Sequence, residues 1–159
     1  MKPIIMITGL PQSYTSLISK FLLDNGSYSD DLMGDPNEIL QYERFESKTL
    51  EEYIKRRKWF RESDLTVFFN SLPSDKVVTL KMPFIIQFVN DLDKYTDREI
   101  KVIYTIRNPQ DIILSSMKKS GKSFIYFFER MVWYYYFVSN CKFPVYALIA
   151  EHILLQNKH

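Results

Sequence analysis

The sequence predicts an α/β fold: a mainly parallel sheet covered by helices on both faces, in three layers. Two observations carry this expectation. Four short apolar runs rich in β-branched residues recur along the chain, with helical patterns between them. Two of those runs end in turns suited to starting a helix, one through Gly9 and Pro11 and the other through Asn108-Pro109. Strands that alternate with helices pair in parallel through crossovers lying over the sheet, which buries both faces. At 159 residues, 46% of them hydrophobic, the chain suits a single domain over 1–159 with a sizeable core.

Ile4–Thr8 reads as a buried strand closed by Gly9 and Pro11. A helix follows from about Ser13–Thr15, with Leu17, Ile18, Phe21 and Leu22 facing inward and Asn25-Gly26 as its stop. Ser27–Pro36 is polar and turn-rich and reads as a loop. Glu38–Phe60 is helical in pattern, with charge crowded into Glu51-Glu52 and Lys55–Lys58. Lys76–Lys81 is a second strand, and Pro83 opens a helix through about Lys94. Lys101–Ile106 is a third strand, Pro109–Lys119 a helix, Ser123–Ser139 a long aromatic helix, and Pro144–Ile149 a fourth strand. The aromatic run from Phe124 to Phe137 is read mainly as core, with some of it forming an exposed patch suited to a homodimer or partner surface.

A formal net charge of +2 supplies no field that would point to nucleic acid. Cys141 is the single cysteine, so no internal disulfide forms, which fits a reducing compartment. Ile4–Ile7 is too short for the core of a signal peptide. Phe124–Val138 carries Glu129 and Arg130 and falls short of the roughly 20 residues needed to span a bilayer. The expectation is a soluble cytoplasmic protein with no membrane span and no nucleic-acid partner.

A strand that feeds a helix N-terminus presents unpaired N–H groups and the positive end of the helix dipole. On one parallel sheet, the turns after Ile4–Thr8 and after Lys101–Ile106 both open at the carboxyl edge, where such folds bind ligands. This predicts a ligand with phosphate groups at two separate places. The first turn fits the loop G-x-x-x-x-G-K-[ST] only in part: Gly9 and Ser16 hold the outer positions, while Tyr14 replaces the second glycine and Thr15 the lysine. Without that lysine an ATP or GTP γ-phosphate loses its main side-chain cation, which argues against ordinary kinase chemistry. A plain strand-to-helix turn capped by Ser13 accounts for the segment equally well. At the second turn Asn108 can cap the helix, and Asp111 and Ser115 lie along one stripe beside Arg107. A guanidinium and a hydroxyl there suit a phosphate, and a pair between Arg107 and Asp111 is the alternative.

Gly9-Leu10-Pro11-Gln12-Ser13-Tyr14-Thr15-Ser16-Leu17 resembles the 5′-phosphosulfate loop of sulfotransferases that use 3′-phosphoadenosine 5′-phosphosulfate (PAPS). Pro11, Ser13, Thr15 and Ser16 match its pattern. Gln12 stands where that family has a basic residue, and Tyr14 where it has glycine. Val102–Ser115 is similar to the family's 3′-phosphate motif: Arg107 ends the strand, Asn108-Pro109-Gln110-Asp111 forms the turn, and Ser115 follows eight residues after the arginine. Tyr42-Glu43 with Phe45-Glu46, the strand ending Lys81-Met82-Pro83, and Pro144–Leu154 resemble further family elements in order and spacing. The resemblance is to a short bacterial- or phage-type member. Sulfotransferases generally continue into a C-terminal region covering nucleotide and acceptor, which this sequence does not show.

That resemblance implies a P-loop NTPase-like sulfotransferase fold. It also implies PAPS, or its product adenosine 3′,5′-bisphosphate, bound by Pro11, Gln12, Ser13, Tyr14, Thr15, Ser16, Arg107 and Ser115. The sulfuryl group would pass to a hydroxyl or amine on a small molecule or glycan. Glu43 would be the general base, with Glu46 the second choice, and Lys81 would replace the cation missing at Gln12. No metal is required. Lys118, Lys119 and Lys122 would extend the phosphate pocket or attract an anionic acceptor. Two alternatives stay open: a non-catalytic relative that keeps nucleotide binding, and a diverged nucleotide-kinase-like P-loop protein. If the donor cation has been lost at Gln12, Gln12→Lys is expected to tighten binding of the sulfated donor or restore turnover, as measured by isothermal titration and product release.

Overall fold

β1 (Ile4–Gly9) lies in the interior of the sheet, flanked in parallel by β2 (Val78–Lys81) and β3 (Ile100–Ile106); β4 (Val145–Ile149) continues beyond β3, giving the order β2-β1-β3-β4. The computed structural model describes residues 1–10, 13–29, 46–56 and 62–149. All three pairings are parallel, and each strand matches an apolar run in the sequence to within two residues. Successive strand residues point to opposite faces. Met6 and Ile7 are both fully buried, as are Leu80 and Lys81, so the sheet is covered on both faces at β1 and β2. This is the three-layer arrangement that the sequence predicts.

The two faces are filled differently. Ile4, Met6, Val78, Leu80, Ile100, Val102 and Tyr104 join one continuous core with side chains of α2 (Lys48–Arg56) and α3 (Glu62–Ser71), among them Leu50, Tyr53, Leu65 and Phe69. Ile7 and Ile18 lie outside that cluster, on the side where α1 (Thr15–Asp24) crosses β1 and β2. α1 ends at Asn25 and Gly26, the latter at φ 88°, as the Asn-Gly pair predicts.

Three elements differ from the sequence expectation. The segment after β2 is not one α-helix: it forms two 3₁₀ helices, Pro83–Gln87 and Val89–Lys94, joined at Phe88. Pro83, Ile86, Val89 and Leu92 are all buried at a strict spacing of three. A 3₁₀ helix stacks such residues in one ridge, whereas an α-helix would rotate them around its surface. Within the long helical pattern over Glu38–Phe60, α2 begins only at Lys48, because the Ser47 hydroxyl caps it by accepting from the Leu50 N–H (3.3 Å). α3 has no counterpart among the elements read from the sequence, although Leu65, Phe68, Phe69 and Leu72 are buried at helical spacing.

α4 (Pro109–Ser120) starts as expected, with Asn108 Oδ1 accepting from the Gln110 N–H at 2.9 Å and Pro109 in the first turn. α5 (Phe124–Ser139) is core on one side only. Met131 and Tyr134 are buried, while Phe124, Ile125, Phe128, Val132, Trp133 and Tyr136 are exposed, and β4 leaves Tyr146 and Ile149 exposed as well. No described helix is long and apolar enough to cross a membrane.

At the amino edge of the sheet, buried Arg98 joins the chain before β1 to the connection between α3 and β2. Its guanidinium donates to the carbonyls of Lys2 (2.9 Å), Pro73 (3.1 Å) and Lys76 (2.9 Å). Burial lowers its pKa from the usual arginine range. Arg98→Ala would leave these carbonyls without that donor, so it is expected to lower stability by about 2–4 kcal/mol in urea denaturation.

At the carboxyl edge, Gly9 pairs with Thr105 of β3 and leaves no room for a side chain. A Cβ there would lie 2.3 Å from Thr105 Oγ1, 2.6 Å from Ser13 Oγ and 3.1 Å from the Thr105 carbonyl. Gly9→Ala is therefore expected to cost roughly 1–3 kcal/mol in the same measurement, with no change in helix content by circular dichroism.

Candidate functional site

The strand order sets the place of the site. From β1 the chain leads to β2 on one side, and β3 then lies on the other, so a crevice opens between the carboxyl ends of β1 and β3. Strand alternation decides which side chains reach it. Ile7 and Gly9 in β1, Thr79 and Lys81 in β2, and Thr105 in β3 share the face covered by α1, opposite the main core. The carboxyl-edge groups on this face are Lys81, Thr105, the loop after Gly9 and, one residue past β3, Arg107.

The loop after β1 is held from below. Ser13 is fully buried; its hydroxyl donates to the Leu10 carbonyl and lies 2.7 Å from Thr105 Oγ1. Its N–H donates to the same Leu10 carbonyl at 3.1 Å. Ser13 thus locks the loop onto β3 and does not serve as a helix cap. Tyr14 takes the cap position at φ 64° and ψ 23°, the only left-handed non-glycine among the described residues. In the loop pattern this is the slot of the second glycine, which adopts that conformation freely, whereas a bulky side chain is strained there by about 1–3 kcal/mol. Among the described residues no side chain caps α1, and the Leu17 N–H turns back to the Tyr14 carbonyl at 3.0 Å. Thr15, in the lysine position, is buried at the start of the helix.

Lys81, at the end of β2, brings an ammonium to the start of α1. Lys81 is only 2% exposed, and its Nζ donates to Ser16 Oγ at 2.9 Å and to Glu46 Oε1 at 3.3 Å. Its carbonyl accepts from the Ser47 N–H at 3.0 Å, which pins the segment leading into α2 beside the strand end. A buried ammonium is costly unless it is paired and hydrogen-bonded. Here one hydroxyl and one partly exposed carboxylate share it at the foot of α1.

Arg107 closes the other side. Its guanidinium carbon lies 5.0 Å from the centre of the Tyr14 ring, so the turns after β1 and β3 meet through a cation–π contact. Ser115 is half-buried on α4, seven residues after the Asn108 cap and so on the same side of the helix. On the opposite face of the sheet, Pro83 is fixed by two donors to its carbonyl, Thr8 Oγ1 (2.6 Å) and Tyr134 Oη (2.9 Å). Burial pushes the Tyr134 phenol far above its usual pKa, which keeps it a donor.

Of the residues singled out in the sequence, Ser13, Tyr14, Thr15, Ser16, Lys81 and Arg107 come together at this edge. Pro11, Gln12 and Glu43 lie outside the described residues. Glu46 is a member of the Lys81 cluster. Thr105 lies within the Val102–Ser115 stretch but was not singled out as a site residue; it packs under the loop. Lys122 Nζ donates to the Tyr126 hydroxyl at 3.0 Å.

The sequence matches no protein-family model and no curated protein. The fold does match solved structures. One is a deoxyadenosine kinase from M. mycoides, solved with bound dATP, at a TM-score of 0.51 and 16% identity over 98% of each chain. At that identity the likeness concerns the fold. The parallel sheet with flanking helices is that of a P-loop NTPase-like α/β protein.

Proposed function

We propose that this chain binds an adenine nucleotide in the crevice between β1 and β3 and transfers a group from it, with Lys81 supplying the cation that the loop lacks. The carrying observation is the buried Lys81 ammonium on Ser16 Oγ, beside the uncapped first turn of α1. A hydroxyl, an ammonium and the positive end of α1 form an anion-binding set, and Arg107 offers a second cation at the neighbouring turn. The donor set therefore fits a nucleotide bearing phosphates at two places.

The finer reading is PAPS as donor, supported by the spacing of Arg107 and Ser115 after β3. The acceptor oxygen or nitrogen of a small molecule or glycan would form a bond to sulfur as the bond from sulfur to the bridging phosphate oxygen breaks. Adenosine 3′,5′-bisphosphate would leave, and the acceptor proton would pass to a carboxylate, Glu43 first. Lys81 would offset the charge developing on the bridging oxygen. Glu46 would hold Lys81 in place, which makes it a poorer base.

A second reading has its own support. The likeness in fold to a deoxyadenosine kinase favours phosphoryl transfer from ATP to a nucleoside. That chemistry would recruit Ser16 toward a magnesium ion, whereas its hydroxyl here accepts from Lys81.

Calorimetric titration with adenosine 3′,5′-bisphosphate and with magnesium ATP separates these readings. The bisphosphate is expected to bind wild type, and Arg107→Ala or Lys81→Met to weaken it about tenfold to a hundredfold, the loss of a charge-assisted phosphate contact of ~1.5–3 kcal/mol. A clear preference for magnesium ATP would select the kinase reading. No binding of either nucleotide would remove both.

A further inference from the structure

We propose that the outward face of α5 is a homodimer interface, on which the same face of a second copy of this chain packs about a twofold axis. α5 is apolar all round: Glu129 and Arg130 are the only charges among its sixteen residues. A helix at the surface of a single domain buries one stripe and turns a polar face to water, whereas one that is apolar on every side is covered on every side. The inward side of α5 is covered by its own domain, with Met131 and Tyr134 in the core and the Arg130 guanidinium carbon 5.3 Å from the centre of the Phe84 ring. The opposite side carries Ile125, Phe128, Val132, Trp133 and Tyr136 at helical spacing, each 47–65% exposed. Glu129 is the one charge on that side.

Area, composition and self-fit point to a second copy. With Phe124 and Tyr135, also exposed on α5, these side chains offer roughly 700–800 Å², one partner's share of a standard interface and more than the ~300–600 Å² of the largest apolar patch on an ordinary monomer. A face rich in Phe, Tyr and Trp and nearly free of charge has the make-up of a homodimer interface core. Its rings are already ordered, since Phe124 stacks on Phe128 (6.0 Å between centres) and Trp133 on Phe137 (5.9 Å), so little side-chain freedom is lost on association. A twofold axis also requires a face that fits itself. Two antiparallel α5 helices centred between Val132 and Trp133 set Val132 against Trp133 and Phe128 against Phe137 of the other copy. The same register sets Glu129 against Tyr136, whose hydroxyl can donate to the carboxylate, so the lone charge gains a partner. None of this depends on the nucleotide reading.

The test is sedimentation velocity on the full chain from low micromolar concentration upward. Wild type is expected to sediment as a dimer, at twice the chain mass of 19.0 kDa. Val132→Glu combined with Trp133→Glu puts four carboxylates at the centre of the interface, and is expected to raise the dissociation constant at least about thirtyfold with the circular dichroism spectrum unchanged. Trp133→Ala, a milder change, is expected to raise it roughly tenfold. Val67→Glu, at a residue 67% exposed on α3 and outside the face, is expected to leave the dimer intact. A wild type that stays monomeric at every concentration overturns the proposal and leaves the face to a different protein or to the segment after Ile149. A dimer that survives the double glutamate variant, or that Val67→Glu breaks equally well, overturns it too.

Discussion

The carboxyl edge is organised by the parallel pairing of β1 on both sides. With β2 against one side and β3 against the other, three strand ends open in the same direction, and their following segments converge. Strand alternation then does the sorting. Ile4, Met6, Val78, Leu80, Val102 and Tyr104 go to the large core, while Gly9, Lys81 and Thr105 go to the α1 face. A shift of β2 by one residue would exchange Lys81 for Leu80 and place an ammonium in the apolar core, so register and site chemistry are specified together.

The turn after β1 departs from the usual phosphate-loop pattern at two positions. Loop loops of this kind normally combine a glycine that needs no side-chain room with a lysine that reaches the phosphates. Here the glycine slot keeps its left-handed backbone but carries tyrosine, and the ammonium beside the turn is that of Lys81 on the neighbouring strand. Its place on β2 embeds the Lys81 ammonium in a hydrogen-bonded cluster with Ser16 and Glu46. That cluster is more rigid than an exposed side chain would be, because the segment at Ser47 is itself bonded to the Lys81 backbone.

The two ends of the sheet are stabilised by different means. At the amino edge Arg98 joins three carbonyls. At the carboxyl edge the contacts are small and close: Gly9 against Thr105, Ser13 under the loop, and the Pro83 carbonyl receiving Thr8 and Tyr134. Small side chains let the loop lie near β3, which brings Tyr14 within reach of Arg107.

Local chemistry made much of this legible in advance. β-branched apolar runs marked all four strands, Asn-Gly marked the end of α1, and Asn-Pro marked the start of α4, since each signal acts within a few residues. The segment after β2 was harder, because Pro83, Ile86, Val89 and Leu92 fit a helical pattern unless their strict spacing of three is weighed. The buried spacing of Leu65, Phe68, Phe69 and Leu72 could likewise have revealed α3. At the site, sequence alone could propose Lys81 as the missing cation and Arg107 as an anion ligand from their places at strand ends. It could not show that Lys81 meets Ser16, that Ser13 turns inward to Thr105, or that Tyr14 lies under Arg107. Those partners are 65, 92 and 93 residues apart in the chain, and only the strand order and register bring them together. The sequence by itself determined the elements and the chemistry at their ends, because propensity, capping and turn geometry are local; the tertiary structure decided which ends meet, because parallel pairing joins segments that no local rule connects.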